Sequence, residues 1–218
     1  IMTIKKLLIS NRGEIASRII SSAHDMGICC VAIYTENDKD TPYVREADQA
    51  YKLSDSYLNS KEILDIALKA KVDAIHPGYG FLSENAAFAN QVKKLNIKWV
   101  GPSANAIKKM GDKLTAKEIA TKANVPTLPM TSDPKKANSI GFPILVKAAA
   151  GGGGKGMRIV NKAKDLKEAI KSAEREAEGG FGDKRVFLER YIPRSRHIEI
   201  QILGCLLYTS DAADDAHG

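Results

Sequence analysis

The sequence predicts an α/β protein in two parts, a parallel sheet followed by a small antiparallel α+β unit. Up to about residue 112, short β-branched runs alternate with amphipathic helical stretches, the order that parallel strands with right-handed crossovers produce. Later in the chain, a glycine-rich loop joins two apolar strands, and a helix and two more strands follow. Proline-containing segments separate the two patterns, so we expect a domain boundary within residues 113–135.

The first part contains four predicted strands and three predicted helices. Strands are expected at residues 4–9, 29–34, 72–75 and 97–100, and helices at residues 14–26, 61–70 and 83–95. Gly27 stands where the residue after a helix C-cap belongs. Ser60 and Ser83 are candidate N-caps of the second and third helices.

The second part contains four predicted strands and one long helix. Strands are expected at residues 142–147, 157–160, 185–189 and 197–203, and the helix at residues 163–178. In the last strand, strict alternation places His197, Glu199 and Gln201 on one face and three isoleucines on the core face. The polar face is either the wall of a ligand cleft or a solvated sheet surface.

Composition excludes several classes of protein. Of the 218 residues, 44% are hydrophobic and 27% are charged, which excludes a disordered chain. The apolar runs are shorter than the roughly 20 residues that a membrane span needs. The net charge of +7 comes from lysines and arginines dispersed among acidic residues, so no nucleic-acid surface is expected. Three cysteines, without metal-ligand spacing, favour a reducing compartment and predict no metal site.

The run Gly151-Gly152-Gly153-Gly154-Lys155-Gly156 predicts a phosphate-binding loop, because successive glycines let backbone N–H groups approach an anion closely. Lys155 is followed by Gly156 and not by Ser or Thr, so the loop is not a Walker A motif. Residues 11–14 contain a single glycine, so they are not a dinucleotide fingerprint. A plain tight hairpin is the alternative interpretation of the glycine run.

Lys147 interrupts the apolar run at residues 143–146, and burying an ammonium without a partner is costly. Its partner is either a nucleotide phosphate or the carboxylate of a structural ion pair. The proximity of the glycine run favours the phosphate. Residues 76–85, between a strand and a helix, are a second candidate ligand loop, with a structural turn as the alternative.

Five segments resemble the biotin carboxylase component of biotin-dependent carboxylases, a branch of the ATP-grasp superfamily. They are residues 9–16, 76–85, 110–113, 147–158 and 196–201. The resemblance covers residues 4 to about 204 and implies a Rossmann-like (pre-ATP-grasp) domain at 1–112 and a truncated ATP-grasp domain, its linker and lid part, at 113–204. It also implies that the C-terminal ATP-grasp subdomain is missing. Residues 205–218 resemble nothing in the family and are expected to be an artefactual tail.

The resemblance implies an ATP-dependent ligase. ATP and bicarbonate would form carboxyphosphate, whose carbon dioxide is transferred to biotin on a carboxyl carrier domain, with a carboxyltransferase component as further partner. A homodimer in the cytoplasm or mitochondrial matrix is expected, without a nucleic-acid or membrane partner. The final acceptor, an acyl-CoA or pyruvate, is left open. Alternatives are a fragment of another ATP-grasp ligase, similar to carbamoyl phosphate synthetase, or a non-catalytic nucleotide-binding module.

The resemblance also assigns nucleotide-binding residues. Lys113 and Lys147 match phosphate-contacting lysines, Gly153 and Gly154 match a mobile loop, and His197 matches a nucleotide-contacting histidine. The segment expected to hold adenine consists of Glu189, Arg190, Tyr191 and Ile192. Catalytic residues and Mg²⁺ ligands are expected in the missing subdomain, so the chain is expected to be an inactive fragment.

Overall fold

The computed structural model describes residues 3–150, 156–196, 198, 200, 202–204 and 209–211. The chain divides into unit 1, made of Ile1–Thr127 and Ala149–Gly151, and unit 2, made of Leu128–Ala148 and Gly152–Gly218. The predicted α/β class is confirmed by a parallel sheet in the first unit and an antiparallel sheet in the second. Within the described residues, the helices are too short or too polar to traverse a lipid bilayer.

Unit 1 is built on a five-stranded parallel sheet with strand order β3-β2-β1-β4-β5. The strands are β1 (Lys6–Ile9), β2 (Cys29–Tyr34), β3 (Gln49–Lys52), β4 (Ala74–His76) and β5 (Lys98–Trp99). The chain runs outward from β1 to β3 and then crosses to β4 on the other side of β1. The carboxyl ends of β1 and β4 therefore form the topological switch point, where sheets of this kind bind ligands.

Six helices accompany this sheet. They are α1 (Gly13–Asp25), α2 (Pro42–Glu46), α3 (Ser60–Ala70), α4 (Ala86–Lys94), α5 (Ala104–Gly111) and α6 (Lys113–Lys122). Gly27 follows α1 with φ +68°, as predicted. The two predicted serine caps are wrong, because Asn59 caps α3 and Asn85 caps α4. Each amide oxygen accepts the backbone N–H three residues later, and both serines already lie in helical turns.

Apolar side chains cover both faces of the parallel sheet. On β1, Leu8 belongs to a cluster with Ile63 of α3 and Phe88 of α4. Its neighbour Leu7 belongs to a second cluster with Ile20 of α1. Because successive residues of a strand point to opposite faces, a strand buried on both sides reads as a continuous apolar run. That pattern made β1 and β2 recognisable in the sequence, whereas the polar edge strand β3 was not predicted.

Unit 2 is built on a four-stranded sheet with order β6-β9-β7-β8, whose pairs are antiparallel. The strands are β6 (Met130–Thr131), β7 (Ile144–Ala148), β8 (Arg158–Val160) and β9 (Val186–Arg190), with helices α7 (Ala137–Ile140) and α8 (Leu166–Phe181). Ala173 of α8 packs with Ile144 and Val146 in the core of this unit. The predicted small antiparallel α+β unit is therefore present.

The last predicted strand differs from the structure. Among the residues described between 197 and 204, the strand is limited to β10 (Ile202–Gly204), paired antiparallel with β11 (Thr209–Asp211). Ile198 and Ile200 are 72% and 61% exposed, so their predicted place on a core face is wrong. A strand face is buried only where a second layer packs against it, and none covers these two side chains within the described residues. His197, Glu199 and Gln201 lie outside the described residues.

Candidate functional site

Asn11, two residues after the end of β1, fills the switch point of the parallel sheet. Its Nδ2 donates to the carbonyl oxygens of Pro77 at 2.8 Å and Tyr79 at 2.9 Å, and its Oδ1 accepts the N–H of Arg12 at 2.9 Å. Asn11 is fully buried. The crevice in which an open α/β sheet usually holds a ligand is thus taken up by a protein side chain.

The loop at residues 76–85 has a backbone held by hydrogen bonds from Asn11 and carries exposed aromatic side chains. Gly78 and Gly80 have φ of +63° and +68°, which confirms the glycine turn. The Gly78 N–H donates to His76 Nδ1 at 3.0 Å, and burial lowers the pKa of His76. Tyr79 is 58% exposed, and Phe81 is partly exposed, with its ring centroid 5.5 Å from that of Tyr57. The loop is therefore a rigid support for exposed aromatic groups.

A buried carboxylate anchors the start of α1. Arg12 Nε donates to Asp38 Oδ2 at 2.7 Å and Nη2 to Oδ1 at 2.5 Å, and the Tyr57 hydroxyl donates to Oδ2 at 2.5 Å. The hydrogen bonds from Arg12, followed by the one from Tyr57, hold the pKa of Asp38 below its usual value despite burial. Sequence analysis did not predict this network, because Asp38 lies in a segment whose pattern indicates only a turn.

Lys113, a predicted phosphate contact, begins α6 in unit 1. The helix is capped by Asp112, whose Oδ1 accepts the N–H of Thr115 at 2.8 Å. The backbone N–H of Lys113 donates to Ala149 O at 3.2 Å, and its Nζ donates to Ala150 O at 3.4 Å. The ammonium is therefore held beside the chain immediately before the glycine run. Gly153 and Gly154 lie outside the described residues.

Lys147, the second predicted phosphate contact, pairs with Glu189 within unit 2. Lys147 lies on β7 opposite Phe187, and Glu189 lies two positions further along β9. Its Nζ donates to Glu189 Oε2 in a very short contact. The Glu189 side chain is 3% exposed and that of Lys147 is 25% exposed. The structural ion pair that the sequence left open is present, while part of the lysine still faces solvent.

The rest of the predicted adenine segment is held by contacts within unit 2. The guanidinium of Arg190 donates to Ile140 O at 2.6 Å, and its backbone N–H donates to Pro129 O at 3.0 Å. The N–H of Tyr191 donates to Pro143 O at 3.1 Å. These donors are engaged, so a ligand beside Arg190 and Tyr191 would meet carbonyl oxygens and side chains. Ile192 is 44% exposed.

The structure thus joins two of the predicted residues, Lys147 and Glu189, and fixes Lys113 separately in unit 1. The convergence of both lysines on one triphosphate stays a prediction. His197 lies outside the described residues, so its assignment also stays a prediction.

Comparison with known proteins identifies the family. The family model "Biotin carboxylase, N-terminal domain" matches residues 3–107. The model "Carbamoyl-phosphate synthase L chain, ATP binding domain" matches residues 87–206. Biotin carboxylase 1 of Bacillus subtilis is 47% identical over 213 residues, which are 92% of this chain and 47% of that protein. The chain belongs to the biotin carboxylase family.

Solved biotin carboxylases share its fold. A biotin carboxylase–nucleotide complex from Campylobacter jejuni superposes with a TM-score of 0.92 at 43% identity, covering 96% of this chain and 50% of that one. The biotin carboxylase domain dimer of the Hydrogenobacter thermophilus 2-oxoglutarate carboxylase, solved with MgADP, ADP and bicarbonate, gives 0.89 at 42% identity. That match covers 93% of this chain and 48% of the other. The chain therefore spans about half the length of these biotin carboxylases.

Proposed function

We propose that this chain supplies part of the ATP site of a biotin carboxylase. In that reaction ATP and bicarbonate form carboxyphosphate and ADP, and the carbon dioxide released from carboxyphosphate is transferred to N1′ of biotin on a carrier domain. Lys113 and Lys147 each bind phosphate oxygens of ATP, and Gly153 and Gly154 close over them. Glu189, Arg190, Tyr191 and Ile192 border the adenine, and His197 contacts the nucleotide.

The observation that carries this proposal is the pair formed by Lys147 and Glu189. A buried carboxylate fixes the direction in which the neighbouring ammonium points. An ammonium has three N–H donors, and Glu189 Oε2 accepts one of them. With a quarter of its side chain exposed, Lys147 can direct further donors at a phosphate without losing its partner. A fixed cation of this kind stabilises phosphate charge without reorganising during the reaction.

The polar groups among the described residues fit a nucleoside triphosphate. Lys113 and Lys147 supply positive charge, and the backbone carbonyls of Arg190 and Tyr191 can accept from an exocyclic amine. Mg²⁺, when bound, would neutralise phosphate charge and orient the chain of phosphates. We propose that the Mg²⁺ ligands and the groups that bind bicarbonate and biotin belong to the part of the longer relatives that this chain does not span.

The proposed organisation follows the family. Residues 1–112 would form the Rossmann-like domain and residues 113–204 the linker and lid part of the ATP-grasp domain. The proposed partners are a biotin carboxyl carrier domain, a carboxyltransferase component and a second copy of the protein. The dimer in which the Hydrogenobacter thermophilus domain was solved supports the last of these.

A second candidate is another ATP-grasp ligase that resembles carbamoyl-phosphate synthase, since the model that matches residues 87–206 carries that name. The Bacillus subtilis biotin carboxylase matches 213 residues of this chain, well beyond residue 107, where the match to the biotin carboxylase N-terminal model ends. This match favours the first candidate. A non-catalytic nucleotide-binding module is the remaining alternative.

The test is a titration of the 218-residue chain with MgATP, in which ligand-observed NMR measures binding. We expect a dissociation constant on the order of millimolar, because this chain spans only about half the length of the biotin carboxylases that carry the complete ATP site. Replacing Lys113→Gln or Lys147→Gln should weaken binding about tenfold each, the effect of losing one charged contact. Lys162→Gln, on the exposed surface of unit 2, is the matched control. Equal binding by all four proteins, or none by the unmodified chain, would contradict the proposal.

Catalysis is tested separately with bicarbonate and free biotin. We expect the 218-residue chain to hydrolyse no ATP in a biotin-dependent manner. Biotin-stimulated turnover would show that the chain is catalytically sufficient and would also argue against the carbamoyl-phosphate synthase alternative.

A further inference from the structure

Three side chains with metal-binding atoms meet in unit 1, at the edge of the parallel sheet where its strands begin. Cys30 is the second residue of β2, Asp48 immediately precedes β3, and His24 lies in the last turn of α1. One nitrogen, one sulfur and one carboxylate oxygen from these residues lie within 4.8 Å of one another. This edge is opposite the switch point, so the cluster is separate from the loops discussed above.

The cluster is held in place by its own contacts. His24 Nε2 lies 2.9 Å from Asp48 Oδ2, and the backbone N–H of Cys30 donates to the same oxygen at 2.6 Å. The Cys30 thiol is buried and points at Ile28 O, 3.6 Å away, and Ile20 O, 3.9 Å away. The carboxylate is thus fixed between a backbone donor and an imidazole, with the sulfur beside them.

One residue of the cluster also lines a surface cavity. A surface cavity of about 650 Å³ includes His24 in its lining. The other charged side chains that line it are Glu14, Arg18, Asp25 and Glu46. Three carboxylates against one guanidinium make the cavity negative, and clefts lined by one sign of charge concentrate ions of the opposite sign. His24 therefore belongs both to the cluster and to the wall of a cation-attracting cavity.

We propose that His24, Cys30 and Asp48 bind one borderline-soft divalent cation of the Zn²⁺ class, with water as the fourth ligand. Nitrogen, thiolate sulfur and carboxylate oxygen are the ligands that Zn²⁺ takes, and three protein ligands leave one position open. On binding, the Cys30 thiol releases its proton to solvent and forms an S–metal bond. His24 Nε2 gives up its hydrogen bond with Asp48 Oδ2 and coordinates the metal instead. Thiolate and carboxylate together neutralise the charge of the ion.

The geometry requires a small contraction. Donor atoms around a tetrahedral Zn²⁺ are about 3.3–3.8 Å apart, as its bond lengths dictate. The donor atoms here lie within 4.8 Å of one another, so the most distant pair must approach by at most about 1.5 Å. The side chains of His24 and Asp48 are 40% and 45% exposed, so both can move without disturbing the core. The bound ion would tie the end of α1 to β2 and to the start of β3.

The test uses Co²⁺ as a spectroscopic probe of the full chain. We expect a thiolate-to-cobalt charge-transfer band and the intense visible bands of a four-coordinate site, both displaced by Zn²⁺. Cys30→Ser should abolish the charge-transfer band. Cys29→Ser should keep it, because the Cys29 thiol interacts with Asp48 but is not one of the three proposed ligands. His24→Gln, at an exposed position that does not threaten folding, should weaken Co²⁺ binding about tenfold or more.

Three results would contradict the proposal. One is the absence of a charge-transfer band from the folded, unmodified chain at saturating Co²⁺. Another is a band that survives in Cys30→Ser or is lost only in Cys29→Ser or Cys205→Ser, since the sulfur ligand would then be a different cysteine. Full Co²⁺ affinity in His24→Gln would likewise exclude the imidazole ligand.

Discussion

Asn11 lies so close beneath Gly78 that a Cβ on the glycine would stand 2.7 Å from Asn11 Nδ2. The closeness lets the buried carboxamide reach the carbonyl oxygens of Pro77 and Tyr79. The two residues therefore depend on each other, since the loop after β4 keeps its shape only with a side chain at position 11 and none at position 78.

The first prediction concerns Gly78→Ala. A methyl group there would collide with Asn11 and also stand 2.8 Å from Ile15 Cγ2, in a residue with φ +63°. We expect the free energy of unfolding to fall by about 2–4 kcal/mol, from backbone strain and overpacking together. Gly27→Ala is the matched control, with φ +68° and open space around its Cβ, and should cost only about 1 kcal/mol. Equal losses in urea unfolding would show that the contact with Asn11 is unimportant.

The second prediction concerns Ser10→Ala. Ser10 is fully buried, and its Oγ has no hydrogen-bond partner among the described residues. A buried hydroxyl without a partner costs free energy that a methyl group does not. We expect the substitution to raise the free energy of unfolding by up to about 1 kcal/mol. A loss of stability of that size would instead indicate that the hydroxyl is satisfied in solution.

The third prediction concerns stability in acid. Because hydrogen bonds from Arg12 lower the pKa of Asp38, its contribution to stability is fully present above the unfolded pKa of about 3.9. As the pH falls further, the unfolded chain takes up the proton first, so stability is lost until the pH passes the lower folded pKa. Asp38→Asn should lower stability at neutral pH and flatten this acid slope. Urea unfolding at successive pH values measures this slope. Asp40→Asn makes the same change of charge at an exposed neighbouring residue and should leave the dependence of stability on pH unchanged.

The fourth prediction concerns the ion pair between Lys147 and Glu189. Lys147→Met leaves a carboxylate that is 3% exposed without its cation, and should cost about 3 kcal/mol. The double variant Lys147→Met with Glu189→Leu removes both charges and should recover much of that loss. Arg158→Gln, which breaks an exposed pair with Glu176, should cost about 0.5 kcal/mol or less. A double variant less stable than Lys147→Met would show that Glu189 has a stabilising role beyond this pair.

Local sequence patterns predicted most of the fold. The apolar run of β1, the strand β2 over residues 29–34 and the glycine after α1 were recognisable because burial on both sheet faces and a left-handed cap leave local signals. The caps at Asn59 and Asn85 were missed, since several polar residues near each helix start satisfy the same preference. Ile198 and Ile200 were misplaced because alternation shows two faces but not whether a second layer covers either.

The candidate site was likewise predictable from the sequence only in part. The glycine run, Lys113 and Lys147 stand out in the sequence through residue type and spacing, and their order along the chain also carries the family resemblance. Pairings between distant side chains, such as Lys147 with Glu189 and Arg12 with Asp38, do not stand out. Glu189 is 42 residues from Lys147, and Asp38 is 26 residues from Arg12.

What the sequence determined by itself is the alternation of the main strands and helices, the family, and the residue types available for binding phosphate. Only the tertiary structure decided that Asn11 fills the switch point, that Lys147 is paired, and that His24, Cys30 and Asp48 meet. The physical reason is that hydrophobic periodicity acts within a single element. Contacts between distant side chains depend on strand order and register, which form only when the whole sheet assembles.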